Sequence, residues 1–315
     1  MTITQLQYVL AVAEYKNFTL AAQKCFVTQP TLSMQIQKVE EELEIKLFDR
    51  TKKPIQLTSI GQKIVNQAKN IVNEADRIQD IVQQEKGFVG GEFRLGIIPT
   101  VMPTLLPMFL NNFIKKYPKV SLIIEELNTD EIILRLLNGH LDAAIAATPL
   151  YEEKIKEVVL YFEPFVAYIP ENHATSFKKE ITVDDLNLDE LLLLQDGHCF
   201  RDSVLNLCKN RNFEASNHFQ LESGSFETLI KLADEGLGTT LLPFLHTLNL
   251  SEKDQLKLRH FAEPKPAREV SLIYPKTELK IHIIDALRAT IAGVVKGAIV
   301  FQNVQIVSPK IDKSK

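Results

Sequence analysis

Cysteine is scarce, with three in 315 residues, too few for the disulfide framework of a small secreted fold. No apolar run approaches the roughly 18 residues that span a bilayer. The opening Met1-Thr2-Ile3-Thr4-Gln5 has no basic stretch leading into an apolar core, so the expectation is a cytoplasmic protein with no membrane contact. Net charge is small as well. Lys and Arg number 36 against 40 Asp and Glu, giving −4, so any surface for nucleic acid must be local. The seven histidines are scattered, none at His-x-x-x-His spacing, and no two cysteines stand at Cys-x-x-Cys spacing; no metal and no cofactor is expected. Gly236-Leu237-Gly238 follows a helix-like run and precedes a strand-like one, the reverse of a dinucleotide loop, and reads as a turn. At 45% hydrophobic residues, what is left is an ordinary globular chain long enough for two or three domains.

Residues 2–58 read as a compact helical unit. Thr2 with Gln5 forms a capping box, and Ile3, Leu6, Val9, Leu10 and Ala13 make one apolar stripe. Phe18-Thr19-Leu20-Ala21-Ala22 starts a second helix with Thr19 as its cap. Val27-Thr28-Gln29 turns the chain, and Pro30 at the first helical position opens a third helix through Leu43. Small alanines at a helix crossing, a tight turn and a polar helix form a helix-turn-helix pattern, and Phe48–Thr58 reads as a wing hairpin. Lys46, Arg50, Lys52 and Lys53 outnumber Glu44 and Asp49 over 44–54, a modest basic patch, whereas Glu40-Glu41-Glu42 reads as a solvated helix face. Residues 60–86 read as one long helix. Its Ile64, Ala68, Ile71, Ala75, Ile78 and Val82 step alternately by four and three, a seam for a second copy or for packing on its own chain.

Gly87, Gly90 and Gly91 then mark a hinge. Beyond it the strand-like runs Phe93–Ile98, Val120–Glu126, Leu141–Ala147, Val158–Tyr168, Leu191–Gln195, His218–Leu221, Thr239–Leu242 and Val270–Tyr274 are interleaved with helical segments. The helices are Met108–Lys116, Glu131–Asn138, 203–211, 226–235 and about 281–298, and the whole is an α/β pattern.

Two cysteines fall together. Gly197-His198-Cys199-Phe200-Arg201-Asp202 is followed, nine positions after Cys199, by Cys208. A cation beside a thiol favours the thiolate that attacks peroxides, and a second thiol can trap the sulfenic acid as a transient disulfide. Spacing alone fits two ordinary buried cysteines equally well; joined to a DNA-reading module, a reactive dithiol points to a redox-sensing transcription factor. Cys25 reads as core. A helix over Ser203–Asn210 with Asp202 as its N-cap would put Cys208 about 9 Å from the helix start. Cys199 would lie further back, and a disulfide needs Cα atoms within about 7 Å, so bond formation requires that helix to unwind or shift.

The N-terminal segment resembles the winged helix-turn-helix of LysR-type transcriptional regulators. The resemblance rests on Phe18-Thr19-Leu20-Ala21-Ala22, Thr28-Gln29-Pro30-Thr31-Leu32-Ser33 and Leu57-Thr58-Ser59-Ile60-Gly61, while Met34 departs where that class often carries arginine. Within the class, the Cys199 motif with Cys208, Ile98-Pro99-Thr100, Asn128-Thr129, Asn217-His218-Phe219 and the run from Gly236 to Pro243 resemble the peroxide-sensing OxyR subgroup. Ala267-Arg268 stands where that subgroup commonly has a basic pair, so only Arg268 carries over.

The resemblance implies a winged helix-turn-helix over 1–58, a linker and dimerisation helix over 59–87, and a two-lobed periplasmic-binding-protein-like regulatory domain. Lobe I takes 88–165 and 268–302, lobe II 166–267, with crossings near 164–168 and 266–269 and a polar tail over 303–315. It implies Cys199 as the peroxidatic and Cys208 as the resolving cysteine, with Thr100, Thr129, His198, Arg201, Asp202, His218 and Arg268 around the peroxide. Gln29, Pro30, Thr31, Ser33 and Gln37 would read the major groove while Arg50, Lys52 and Lys53 grip phosphate. Implied partners are double-stranded promoter DNA, RNA polymerase, hydrogen peroxide, a thiol reductant of glutaredoxin or thioredoxin type, and further copies of the chain as homodimer or homotetramer. The role is a regulator, mainly an activator of antioxidant genes, and not an enzyme. Two rival readings are a LysR-type regulator that binds an organic metabolite between the lobes, its cysteines incidental, and a thiol peroxidase.

Overall fold

In the computed structural model, which describes residues 1–85, 89–208, 223–299 and 304–309, helix α1 (Ile3–Tyr15) begins at the capping box. Thr2 Oγ1 accepts the Gln5 N–H at 3.2 Å and Gln5 Oε1 accepts the Thr2 N–H at 2.8 Å. Helix α2 (Phe18–Lys24) is capped by Asn17 rather than by Thr19, because the carboxamide one residue out accepts the N–H groups of Thr19 and Leu20 at 2.8 and 3.1 Å. Helix α3 (Gln29–Glu42) takes Thr28 as its cap, so Pro30 stands at the second position, not the first. The proline costs nothing there, since N–H groups of the first turn have no intrahelical acceptor. Leu32, Ile36 and Val39 bury one face of α3 against Val9, Val12, Ala21 and Ala22.

Strands β1 (Phe48–Asp49) and β2 (Gln56–Leu57) pair antiparallel to form the wing. Glu40 is not solvated: it is 2% exposed. Its Oε1 accepts the Leu47 N–H at 2.8 Å, and its Oε2 takes Arg50 Nη2 at 3.2 Å and Lys46 Nζ at 3.5 Å. The first strand of the wing presents buried N–H groups to α3, and a carboxylate satisfies them and the nearby cations together. Helix α4 (Ser59–Glu85) starts against the wing so closely that a Cβ on Gly61 would lie 2.1 Å from the Leu47 carbonyl oxygen. The apolar seam of α4 divides. Ala68 packs with Leu6 and Val72, against α1, whereas Ile71, Ile78 and Val82 face solvent, Ile78 at 65% exposure.

The chain separates into two compact units, Met1–Gly87 and Phe88–Lys315. The second begins with β3 (Gly91–Ile97), α5 (Met102–Lys116), β4 (Val120–Glu126), α6 (Thr129–Leu137), β5 (Ala143–Thr148) and the long β6 (Ile155–Tyr168). Next come β7 (Glu180–Ile181), β8 (Leu191–Leu192), α7 (Cys199–Leu207), α8 (Phe226–Asp234), β9 (Thr239–Pro243), α9 (Phe244–Thr247), α10 (Glu252–Gln255) and β10 (Leu258–Phe261). The long β11 (Lys265–Pro275), α11 (Ile281–Val295) and β12 (Val304–Ile306) close it. The mixed sheet runs β4-β3-β5-β11-β6-β10-β7, with β12 on β11 and β9 between β6 and β8. Strand β6 changes partners along its length: Pro164 lies opposite Ala267 in β11, and the next residue, Phe165, opposite Pro243 in β9. Two separate apolar cores result, one around β3, β5, α5 and α11, the other around β9, α7 and α8.

Several boundaries differ from the sequence reading. Helix α5 starts at Met102, six residues before the expected Met108, and contains Pro107; in the second turn a proline removes one hydrogen bond without ending the helix. The strand at Leu191 ends after two residues. Helix α7 begins at Cys199 with His198 as its N-cap, not at Ser203 after Asp202. The buried stripe Cys199, Phe200, Ser203 and Val204 has helical spacing from its first member, and the Ser203 hydroxyl donates to the Cys199 carbonyl at 3.0 Å. The strand expected at His218–Leu221 lies outside the described residues, as do the ends of the 203–211 helix and of the polar tail. Gly238 has φ +146° ahead of β9, and a Cβ there would meet the Glu190 carbonyl oxygen at 2.0 Å, so only glycine fits this turn.

Candidate functional site

On α3, Gln29, Pro30, Thr31 and Gln37 are exposed and Ser33 is half-buried. Several of these side chains have partners already. Thr31 Oγ1 pairs with Thr28 Oγ1 at 2.8 Å, and Gln37 Nε2 donates to Glu41 at 2.8 Å. Arg50 reaches Ser33 Oγ at 3.5 Å and lies over the Phe18 ring at 4.9 Å. Lys52 Nζ donates to Gln56 at 3.1 Å, and Lys53 is exposed beside it in the wing.

In the second unit the polar centre is Arg268, on β11, with 0% exposure. The ladder sets it directly opposite Glu163 on β6. Arg268 Nε and Nη2 donate to Glu163 Oε2 at 2.9 and 2.7 Å, Nη1 to Thr100 Oγ1 at 2.8 Å, and Nη2 also to the Thr100 carbonyl at 3.1 Å. Glu163 Oε1 accepts the Leu245 N–H of α9 at 2.9 Å. One buried ion pair thus ties the turn before α5 to the helix after β9. The guanidinium also covers the Phe200 ring at 5.2 Å, and Phe200 packs on Phe165 at 5.2 Å and on Phe226 at 5.1 Å. Phe226 in turn meets the His246 ring at 5.0 Å.

Cys199 is 7% exposed and packs in the core of β3, β5 and α5, although its own helix belongs to the other core. Burial pushes its thiol pKa up. The Arg268 charge, the Thr129 hydroxyl and the Ala147 N–H act against that rise, and the Asp202 charge adds to it; the sum stays raised. Burial thus outweighs the neighbouring charges, while the sulfur faces the donors an anion needs. Its place at the first position of α7 adds the helix dipole. Thr129 opens α6, and its buried hydroxyl has no conventional hydrogen-bond partner among the described residues; nor has the buried Tyr161 hydroxyl near Glu163 and Arg268.

The remaining expected residues divide. Arg201 turns away from the sulfur, donating to the Leu194 carbonyl at 3.0 Å and pairing with Asp196 at 2.8 Å. Two residues along a helix is a step of about 200°, so Arg201 and Cys199 cannot face the same way. Asp202, one helical turn on, does act on Cys199. Its own carboxyl is pushed up by the protein bulk behind it and by Asp196 and Asp130, against the pull of Arg201 and His198. His198 is half-buried, and burial pushes its pKa down against the opposing pull of Glu126 and Asp202. His218 lies outside the described residues. Cys208 is the C-cap of α7, buried in the second core with Val204 and Phe200. It lies nine positions after Cys199, about 13 Å of helical rise. None of the three cysteines is in a disulfide.

Glu163, Tyr161 and the Ala147 N–H were missed from the sequence. Glu163 had a signal: it is a lone carboxylate in an apolar stretch of β6. Among the described residues no cluster of three or more His, Cys, Asp or Glu could hold a metal, and no helix is long and apolar enough to cross a membrane.

Residues 3–62 match the family of bacterial regulatory helix-turn-helix proteins of the lysR type, and residues 86–295 match the LysR substrate binding domain. The chain is 34% identical over 274 residues to a hydrogen peroxide-inducible genes activator of Pectobacterium carotovorum, covering 87% of this chain and 90% of that protein. It is 33% identical over 297 residues to the DNA-binding transcriptional dual regulator OxyR of Escherichia coli, covering 93% and 97%. Among solved structures it is similar to a full-length cysteine-to-aspartate OxyR of Pseudomonas aeruginosa, with TM-score 0.73, 33% identity, and coverage of 93% of this chain and 98% of that one.

Proposed function

Because the chain belongs to the LysR family of transcriptional regulators, in its peroxide-sensing OxyR branch, we propose that Cys199 is the thiol hydrogen peroxide oxidises and that Cys208 then closes a reversible disulfide. What supports this assignment is the setting of Cys199: a buried sulfur faced by the Arg268 charge, the Thr129 hydroxyl and the Ala147 N–H. The Cys199 sulfur, once deprotonated, attacks one peroxide oxygen and the O–O bond breaks. The departing oxygen takes a proton and leaves as water, and Cys199 becomes a sulfenic acid. Thr129 and Arg268 stabilise charge on that oxygen without competing as nucleophiles, and Thr100 holds Arg268 in place. The Cys208 thiol then attacks the oxidised sulfur, its proton leaves with the hydroxyl as a second water, and the two thiols have become a disulfide.

A span of about 13 Å cannot be bridged within the roughly 7 Å a disulfide permits, so α7 must unwind. Cys199 leaves one core for the neighbourhood of the other, and reduction lets the helix reform. The reading includes the parts laid out from the sequence: a winged helix-turn-helix over 1–58 on promoter DNA, the exposed half of the α4 seam as the contact between copies, and lobes divided at the partner change in β6. It also includes recruitment of RNA polymerase, resetting by a glutaredoxin- or thioredoxin-type reductant, and residence in the cytoplasm.

Brief stoichiometric peroxide, followed by alkylation and mass spectrometry, tests the thiol assignment. The wild type is expected to lose two thiols and keep Cys25, Cys199→Ser to lose none, and Cys208→Ser to stop at the sulfenic acid. Loss of two thiols in Cys199→Ser would overturn the assignment.

A further inference from the structure

We infer that Met34 is a base-reading residue that seats its thioether on the C5-methyl group of a thymine in the major groove, so that the operator carries a thymine at one fixed position of each half-site. Helix α3 is the second helix of the helix-turn-helix, the element such modules place in the major groove. Its buried stripe is Leu32, Ile36 and Val39, with Glu40 at the edge. At about 100° per residue, Met34 falls opposite the middle of that stripe, at the crest of the outward face.

Met34 is 50% exposed, an apolar side chain with Pro30, Thr31, Gln37 and Lys38 around it at helical spacing. Three polar groups beside it have internal bonds: Thr31 to Thr28, Gln37 to Glu41, and Ser33 to Arg50. An apolar, polarizable side chain thus stands exposed at the crest of the reading face. The thymine methyl is the apolar group that base edges display in the major groove, and an unbranched thioether adapts its shape to meet it.

The test uses the full-length protein and a randomised duplex library. Selected sites are resynthesised with deoxyuridine replacing each thymine in turn, which removes only the methyl. One thymine per half-site is expected to matter, its loss weakening wild-type binding about four-fold, the effect of burying one methyl group. Met34→Ala is expected to bind more weakly and to be indifferent to that replacement, with unchanged thermal unfolding because the position is exposed. Lys52→Ala is expected to bind more weakly on every sequence while keeping the methyl dependence. The inference fails if no thymine shows methyl dependence in the wild type, or if the dependence survives Met34→Ala. It fails equally if the dependence disappears instead on Phe26→Ser, the other exposed apolar residue of the reading segment, 95% exposed in the turn before α3.

Discussion

Replacing Phe200 by leucine separates the contacts that hold α7 in place from the chemistry of its neighbour Cys199. The Phe200 ring pairs with Phe165 at 5.2 Å and with Phe226 at 5.1 Å, and lies under the Arg268 guanidinium at 5.2 Å. Aromatic pairs contribute about 0.5–1.5 kcal/mol each beyond area burial, and a desolvated cation–π contact about 1–2. Leucine keeps most of the apolar burial, so the loss is about 2 kcal/mol. If the first turn of α7 opens on oxidation, that loss falls on the dithiol form alone. At about 30 mV per 1.4 kcal/mol for a two-electron couple, the midpoint potential moves about 40 mV more negative, because a destabilised dithiol is harder to regenerate. Equilibration in glutathione buffers, with the disulfide fraction read by mass after alkylation in a Cys25→Ser background, measures the shift. The reduced form should lose thermal stability and the oxidised form should not. An unmoved midpoint with equal destabilisation of both forms would show that the ring contacts persist in the disulfide state, and the proposed opening of α7 would be wrong.

Two other outcomes follow from buried charge. Glu163→Gln removes the carboxylate that balances Arg268, so the Arg268 charge acts on Cys199 undivided. The midpoint of the pH profile for Cys199 alkylation is expected to move to lower pH while the fold loses about 3 kcal/mol, the cost of a buried charge left unpaired; an unmoved or higher midpoint refutes it. His198, His246 and His260 all have pKa values pushed below the ordinary 6.5 by burial. Below pH 6.5 the unfolded chain therefore takes up protons that the folded unit resists, and stability is lost as pH falls from there toward the folded values. Urea midpoints at pH 7.5 and 5.5 should show the loss, and His246→Gln should reduce it; identical pH dependence in that variant would exclude His246 as a contributor.

The DNA-reading module was legible almost residue by residue because its determinants are local: the Thr2 and Gln5 capping box, the alanines at the helix crossing, and Pro30 in the first turn of α3. Errors there were matters of one or two residues at the caps, settled by which side chain reaches the free N–H groups. Glu40 is the exception. Its burial depends on a wing that packs against α3 from 7 to 10 residues away in sequence, which no pattern within the helix reveals. In the second unit the alternation of strands and helices was readable, but α5 starts six residues and α6 two residues before the expected positions: α5 accommodates Pro107 in its second turn, and the Asn128 cap makes Thr129 the first residue of α6.

By itself the sequence determined that a helix-turn-helix is joined to an α/β unit carrying a cysteine pair nine residues apart, because caps, periodicity and spacing are properties of neighbouring residues. Tertiary structure alone decided which cation attends the thiol. Arg201, two residues from Cys199, points elsewhere, while Arg268 acts on the thiol from 69 residues further along the chain and is held by partners 105 and 168 residues away in sequence. It also decided that Cys199 sits in one core and Cys208 in the other, and that burial outweighs the favourable charges and raises the Cys199 pKa. Desolvation and Coulomb interactions depend on distance through space, and the fold alone sets those distances.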